Sequence, residues 1–164
     1  GRIINSTDRL DEQLDSIALA LVRVFSAWGV RECALLVPDG DGTLSIRADA
    51  PIRIERFTLS PDEMLAAREA MAQGKMRDIG PASPAPAGQP SLFRLIPLKA
   101  TNQVLSVLCL RIEHGVSWFA STQRMQEEQE HPTDQSTFFW TFLDQVTLVI
   151  EQAHLRARVI ASNE

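Results

Sequence analysis

The chain has 164 residues, 45% of them hydrophobic, with 16 Lys and Arg against 21 Asp and Glu for a formal net charge of -5. A chain of this length buries roughly 70% of the surface it exposes when unfolded, so one domain with a proper core needs neither disulfide nor metal. The acidic balance, with 14 Arg and 2 Lys scattered along the chain, argues against a nucleic-acid partner.

No apolar run reaches the roughly 20 residues that span a bilayer, and the N-terminus does not read as a secretory signal. The expectation is one soluble cytoplasmic domain over residues 1–164, with no direct membrane insertion of the chain itself.

The first element is a long amphipathic helix over 7–28. Its apolar positions Leu10, Leu14, Ile17, Leu21, Val24 or Phe25, and Trp28 recur at steps of three and four, Thr7 or Asp8 serves as cap, and Gly29 stops it. The sheet and helix core follows over 31–112. Glu32 to Val37 and Thr43 to Ala48 flank Asp39-Gly40-Asp41-Gly42 and predict a hairpin. Ile52 to Leu59 reads ambiguously and has room for a short edge strand. Ser60-Pro61-Asp62-Glu63 then predicts a capping box with Pro at the first helical position, opening a second helix that ends at Gly74.

Gly80 to Pro90 holds four prolines and reads as a mobile loop inside the domain. Leu92 to Leu98 and Gln103 to Ile112 predict a second hairpin, whose later strand is apolar on both alternating sets and so is expected to be covered on both faces. Residues 113–134 form a polar loop around Trp118 and Phe119. Thr133 or Asp134 caps a final helix over 135–160, with Phe138, Phe139, Phe142, Leu143, Val146, Val149, Ile150, Ala153 and Ile160 as apolar positions. These cover more than one face, so a second partner is expected, either helix one or the same helix in another protomer. The order helix, hairpin, helix, loop, hairpin, helix gives a mixed α+β domain.

The search for chemistry finds little. His114, His131 and His154 have no ligand partner at zinc-like spacing, and Cys33 and Cys109 form no Cys-x-x-Cys, so no metal site is expected. Both cysteines lie in apolar strands and read as small buried residues; they have the option of facing each other on neighbouring strands. No nucleophile elbow or phosphate loop is present, and Asp39-Gly40-Asp41-Gly42 is too acidic to cradle a phosphate. His154-Leu155-Arg156 echoes a phospho-accepting histidine box but lacks the acidic residue after the histidine. No catalytic residue is assigned. The ligand-binding candidates are Arg68, Arg77, Asp78 and Arg94, near helix two and the Pro-rich loop, where arginines can recognise a small anion. Plain surface arginines are the blander and favoured alternative.

Four stretches share a pattern with one family. They are Leu35-Leu36-Val37-Pro38-Asp39-Gly40-Asp41-Gly42-Thr43-Leu44; Ala67-Arg68-Glu69-Ala70-Met71-Ala72-Gln73-Gly74-Lys75; Leu95-Ile96-Pro97-Leu98-Lys99 with Val104 to Leu108; and Phe142-Leu143-Asp144-Gln145-Val146 with Val149 to Leu155. Together, over about Thr7 to Arg158, they resemble a GAF domain, and more narrowly that of KdpD-type potassium-sensor histidine kinases. The family's helix-two Trp, its ligand-loop sequence and its strand glycine are replaced here by Ala70 or Met71, by Gly80 to Pro90, and by Val104 or Ser106.

The resemblance implies a GAF-like central antiparallel sheet, with long N- and C-terminal helices packed on one side and a helix plus loops on the other. It also implies a sensory input domain that is not catalytic itself, within a parent kinase that uses ATP and is anchored in the inner membrane. Such a domain is expected to form a homodimer through its terminal helices, with Leu143, Val146, Ile150 and Leu155 on the signalling helix. Two other readings stay open: a stand-alone GAF protein binding a cyclic nucleotide or another small anion, and a GAF-type reductase using thiols.

Overall fold

In the computed structural model, residues 6–80, 92–113, 127, 130, 131 and 133–162 are described. The expected Pro-rich loop and the anchors Trp118 and Phe119 lie outside them. Helix α1 (Ser6–Phe25) buries one stripe, Leu14, Ala18, Leu21 and Phe25, as its three-and-four spacing requires. Thr7 and Asp8, expected as caps, lie inside the helix, because Ser6 is already part of it. A 3-10 turn over Ser26–Trp28 tightens the end, and Gly29 stops it at φ 93° with its N–H donating to the Ser26 carbonyl oxygen.

Strands β1 (Val30–Pro38) and β2 (Leu44–Ala50) form the expected hairpin. Its turn is held by the Asp39 N–H on the Thr43 carbonyl oxygen (2.8 Å) and by the Asp41 carboxylate, which accepts from the Thr43 N–H (3.0 Å). Helix α2 (Pro61–Gln73) begins with the predicted capping box. Ser60 Oγ accepts from the Glu63 N–H, the Glu63 carboxylate accepts from the Ser60 N–H, and Gly74 closes the helix at φ 66°.

Three residues of strand β3 (Arg77–Ile79) come next, then the second hairpin, β4 (Leu92–Ala100) and β5 (Gln103–Ile112). Helix α3 (Asp134–Ser162) ends the described chain. Of its two candidate caps Thr133 acts: its Oγ1 accepts from the Ser136 N–H, while Ser136 Oγ accepts from the Thr133 N–H.

All strand pairs are antiparallel, in the order β2-β1-β5-β4-β3. The expected edge strand between Ile52 and Leu59 does not form. There the Asp49 carboxylate takes the Phe57 N–H, so the backbone is fastened by a side chain and not by a ladder. The outer place at the far end belongs to β3, which is too short to leave a periodic signal.

Both faces of the sheet are covered, as the apolar run of β5 predicts. On one face α1 and α3 enclose the larger core, which includes Leu35, Ile96, Leu108 and Leu110. On the other, α2 packs Ala66, Ala67 and Ala70 against Ala34, Leu36, Phe93, Leu95, Val107 and Cys109. The expected layers, paired terminal helices on one side and one helix with irregular chain on the other, are therefore present.

Candidate functional site

Alanines at 66, 67 and 70 are buried where α2 packs on the sheet. The four residues expected to gather an anion do not converge. Arg68 is exposed on α2 and makes no hydrogen bond or ion pair with a described residue. Arg77 points to α2 and pairs with Glu69. Asp78 and Arg94, opposite each other on β3 and β4, lie on the other face by strand alternation, since Phe93 and Leu95 belong to the α2 side and Ile96 to the α1 and α3 side.

Arg94 is wholly buried and donates from Nε and Nη2 to the two Asp78 carboxylate oxygens at 2.7 and 2.9 Å. A guanidinium engaged on both prongs of a carboxylate holds a strand edge together and is not presented to an incoming anion. The structure thus brings Asp78 and Arg94 together and leaves Arg68 and Arg77 apart from them.

Sequence reading missed the charged cluster around Arg111. Its guanidinium lies 4.0 Å from the Phe57 ring centroid and 5.5 Å from that of Phe93, and it donates to Glu32 and to the Thr58 carbonyl oxygen. Glu32 also pairs with Arg53, and Asp49 with Arg56, around a cavity of about 170 Å³. Hydrogen bonding to Arg56, and then to the Phe57 N–H, holds the Asp49 carboxyl below the usual carboxylate range. These groups satisfy one another, so the cluster fastens the irregular 51–59 segment to the sheet. The one available signal was Arg111 itself, a cation set inside the apolar run Leu108-Cys109-Leu110-Arg111-Ile112.

On α3 the expected interface residues divide. Leu143, Val146 and Ile150 are buried against the chain's own sheet and α1. Leu155 is 51% exposed, and so is Phe138, with Leu148 at 44%. Helix one does cover part of the second stripe, because the Phe25 ring sits 5.7, 5.1 and 5.5 Å from those of Phe138, Phe139 and Phe142.

The cysteines do not face each other. Cys33 pairs across the ladder with Leu110 and belongs to the α1 side, where its Sγ donates to the Ala18 carbonyl oxygen; Cys109 pairs with Ala34 and belongs to the α2 side. Burial pushes the Cys33 thiol up to about 12 and raises Cys109 as well, so neither is a ready thiolate. Among the described residues no group of His, Cys, Asp and Glu is placed to hold a metal ion, and no helix is long and apolar enough to cross a membrane.

No protein-family model and no curated protein matches the chain. Solved structures do. The GAF domain of a two-component sensor histidine kinase from Bacillus halodurans is 15% identical, with a TM-score of 0.59 over 88% of this chain and 97% of that one. A GAF domain/HD domain protein from Geobacter sulfurreducens is 12% identical, with a TM-score of 0.57 over 94% and 99%. A type II free methionine-R-sulfoxide reductase from Thermoplasma acidophilum is 10% identical, with a TM-score of 0.54 over 87% and 95%. At these identities the likeness is one of fold, and that fold is GAF-like.

Proposed function

We propose that this chain is a sensory input domain that carries no catalytic site and acts on a histidine kinase through its terminal helices. One observation carries the reading. Among the described side chains the last core residue of α3 is Ile150, yet the helix continues to Ser162, about three further turns and roughly 18 Å, with Leu155 outward. Among the described residues the extension adds nothing to the domain's core, whereas a continuous rod can hand a change in packing to whatever follows it. Ligand or partner binding must then favour one packing of α1 and α3 over another, since a ligand with equal affinity for both shifts nothing.

The sequence likeness to KdpD-type kinases supports the finer assignment: a potassium or osmotic response, a homodimer, ATP bound by the parent kinase outside this chain, and a place on the cytoplasmic side of the inner membrane. A thiol reductase draws no support from two buried cysteines on opposite faces of the sheet.

The test is a chimera in which α3 runs without a break into the dimerisation helix of a histidine kinase, with one to four residues inserted after Ser162. Each inserted residue rotates the downstream helix by about 100°. Autophosphorylation is expected to rise and fall with insertion length. Output that ignores every insertion would rule out transmission through α3.

A further inference from the structure

Between α3 and the outer side of β4 lies a cavity of about 160 Å³. β3 pairs with Phe93, Arg94 and Leu95, so among the described residues β4 has no partner strand on that side from Ile96 onward. The opening is walled by Gly74 and Met76 from the chain after α2, by Ile96 and Leu98, and by Trp140 and Leu143 of α3.

Two opposite charges border it, Lys99 of β4 and Asp144 of α3. Every strand arginine, Arg31, Arg47, Arg77, Arg94 and Arg111, has an acidic partner. Lys99 and Asp144 have none among the described residues, although they share one cavity. One more polar group is available: the Thr147 hydroxyl donates to the Leu143 carbonyl oxygen, which leaves its lone pairs open.

Size and charge narrow the occupant. The opening is partly exposed to solvent, and its inner part holds on the order of six to ten non-hydrogen atoms. A simple anion would meet Asp144 as well as Lys99, and a metal ion would find one carboxylate beside an ammonium.

We propose that the cavity binds a free amino acid, its carboxylate on the Lys99 Nζ, its ammonium on the Asp144 carboxylate, and its side chain over Met76 and Trp140. Such a ligand bridges α3 to the sheet edge. That consequence for signalling rests on the sensory reading above, while binding itself does not.

The experiment screens the twenty protein amino acids at millimolar concentration by thermal shift. At least one is expected to raise the unfolding midpoint progressively with its concentration. Its decarboxylated amine and its deaminated acid, each retaining one charge, are expected to fail. Lys99→Met and Asp144→Asn should each weaken binding at least tenfold while leaving the ligand-free midpoint unchanged, because both side chains are exposed and unpaired. A screen in which no amino acid shifts the midpoint overturns the proposal, and so does equal affinity in both variants. Amino-acid binding stands whether or not the kinase chimera responds to insertions, so the two readings fail separately.

Discussion

Arg94 and Asp78 carry the chief residue-scale lesson. Arg94 has no exposed surface, and its charge is tolerated there because Asp78 meets it with two hydrogen bonds from the neighbouring strand. Removing the cation takes away a wholly buried side chain and both hydrogen bonds to Asp78 at the point where β3 joins the sheet. Arg94→Ala is therefore expected to cost about 3 kcal/mol, read as a lower urea midpoint, and adding Asp78→Asn should recover part of it. A change under about 0.5 kcal/mol would mean that the pair is solvated like a surface ion pair. In the sequence Arg94 was visible only as a charge between Phe93 and Leu95, within an apolar run. Its partner lies sixteen residues earlier, beyond the Pro-rich segment, and no local pattern links the two. The same limit hid Arg111, whose pairing with Glu32 spans seventy-nine residues.

Among the elements, what a few consecutive residues decide was legible. Ser60 and Glu63 complete a capping box within one turn, and Gly29 and Gly74 stop their helices because both adopt positive φ. The turn between β4 and β5 follows the same local logic with a flaw in it. Thr101 and Asn102 have φ of 50° and 65°, the pattern of a two-residue hairpin turn, but a β-branched threonine fits that region poorly. Replacing the pair by Asn-Gly, as Thr101→Asn with Asn102→Gly, is expected to stabilise the domain by about 1 kcal/mol in chemical denaturation. Unchanged or lower stability would show that Thr101 gains there from a contact that outweighs its backbone cost. What depended on pairing was not legible. Three residues of β3 are too few for a period to appear, and Ile52 to Leu59 read ambiguously where Asp49 and Arg111 fasten irregular chain.

At the scale of the whole molecule, the surplus apolar surface of α3 was legible as a quantity, while its allocation was not. A stripe of Leu143, Val146 and Ile150 closes the chain's own core, and helix one takes Phe138 and Phe142 against Phe25. Leu148 and Leu155 remain outward, seven residues apart on one helix face, the spacing at which two parallel helices meet. If the chain self-associates along α3, these two leucines form the seam, and the buried three are spectators that must not be disturbed. The double variant Leu148→Lys with Leu155→Lys is then expected to turn a concentration-dependent dimer into a monomer in sedimentation, with its unfolding midpoint nearly unchanged. Leu143→Lys should instead lower stability by about 3 kcal/mol or more, since it places an unpaired charge in the core. A parent chain that stays monomeric at submillimolar concentration would sink the dimer. A parent that dimerises while the double variant does so equally well would move the seam elsewhere, and would leave the extension beyond Ile150 as the remaining route by which a signal leaves the domain.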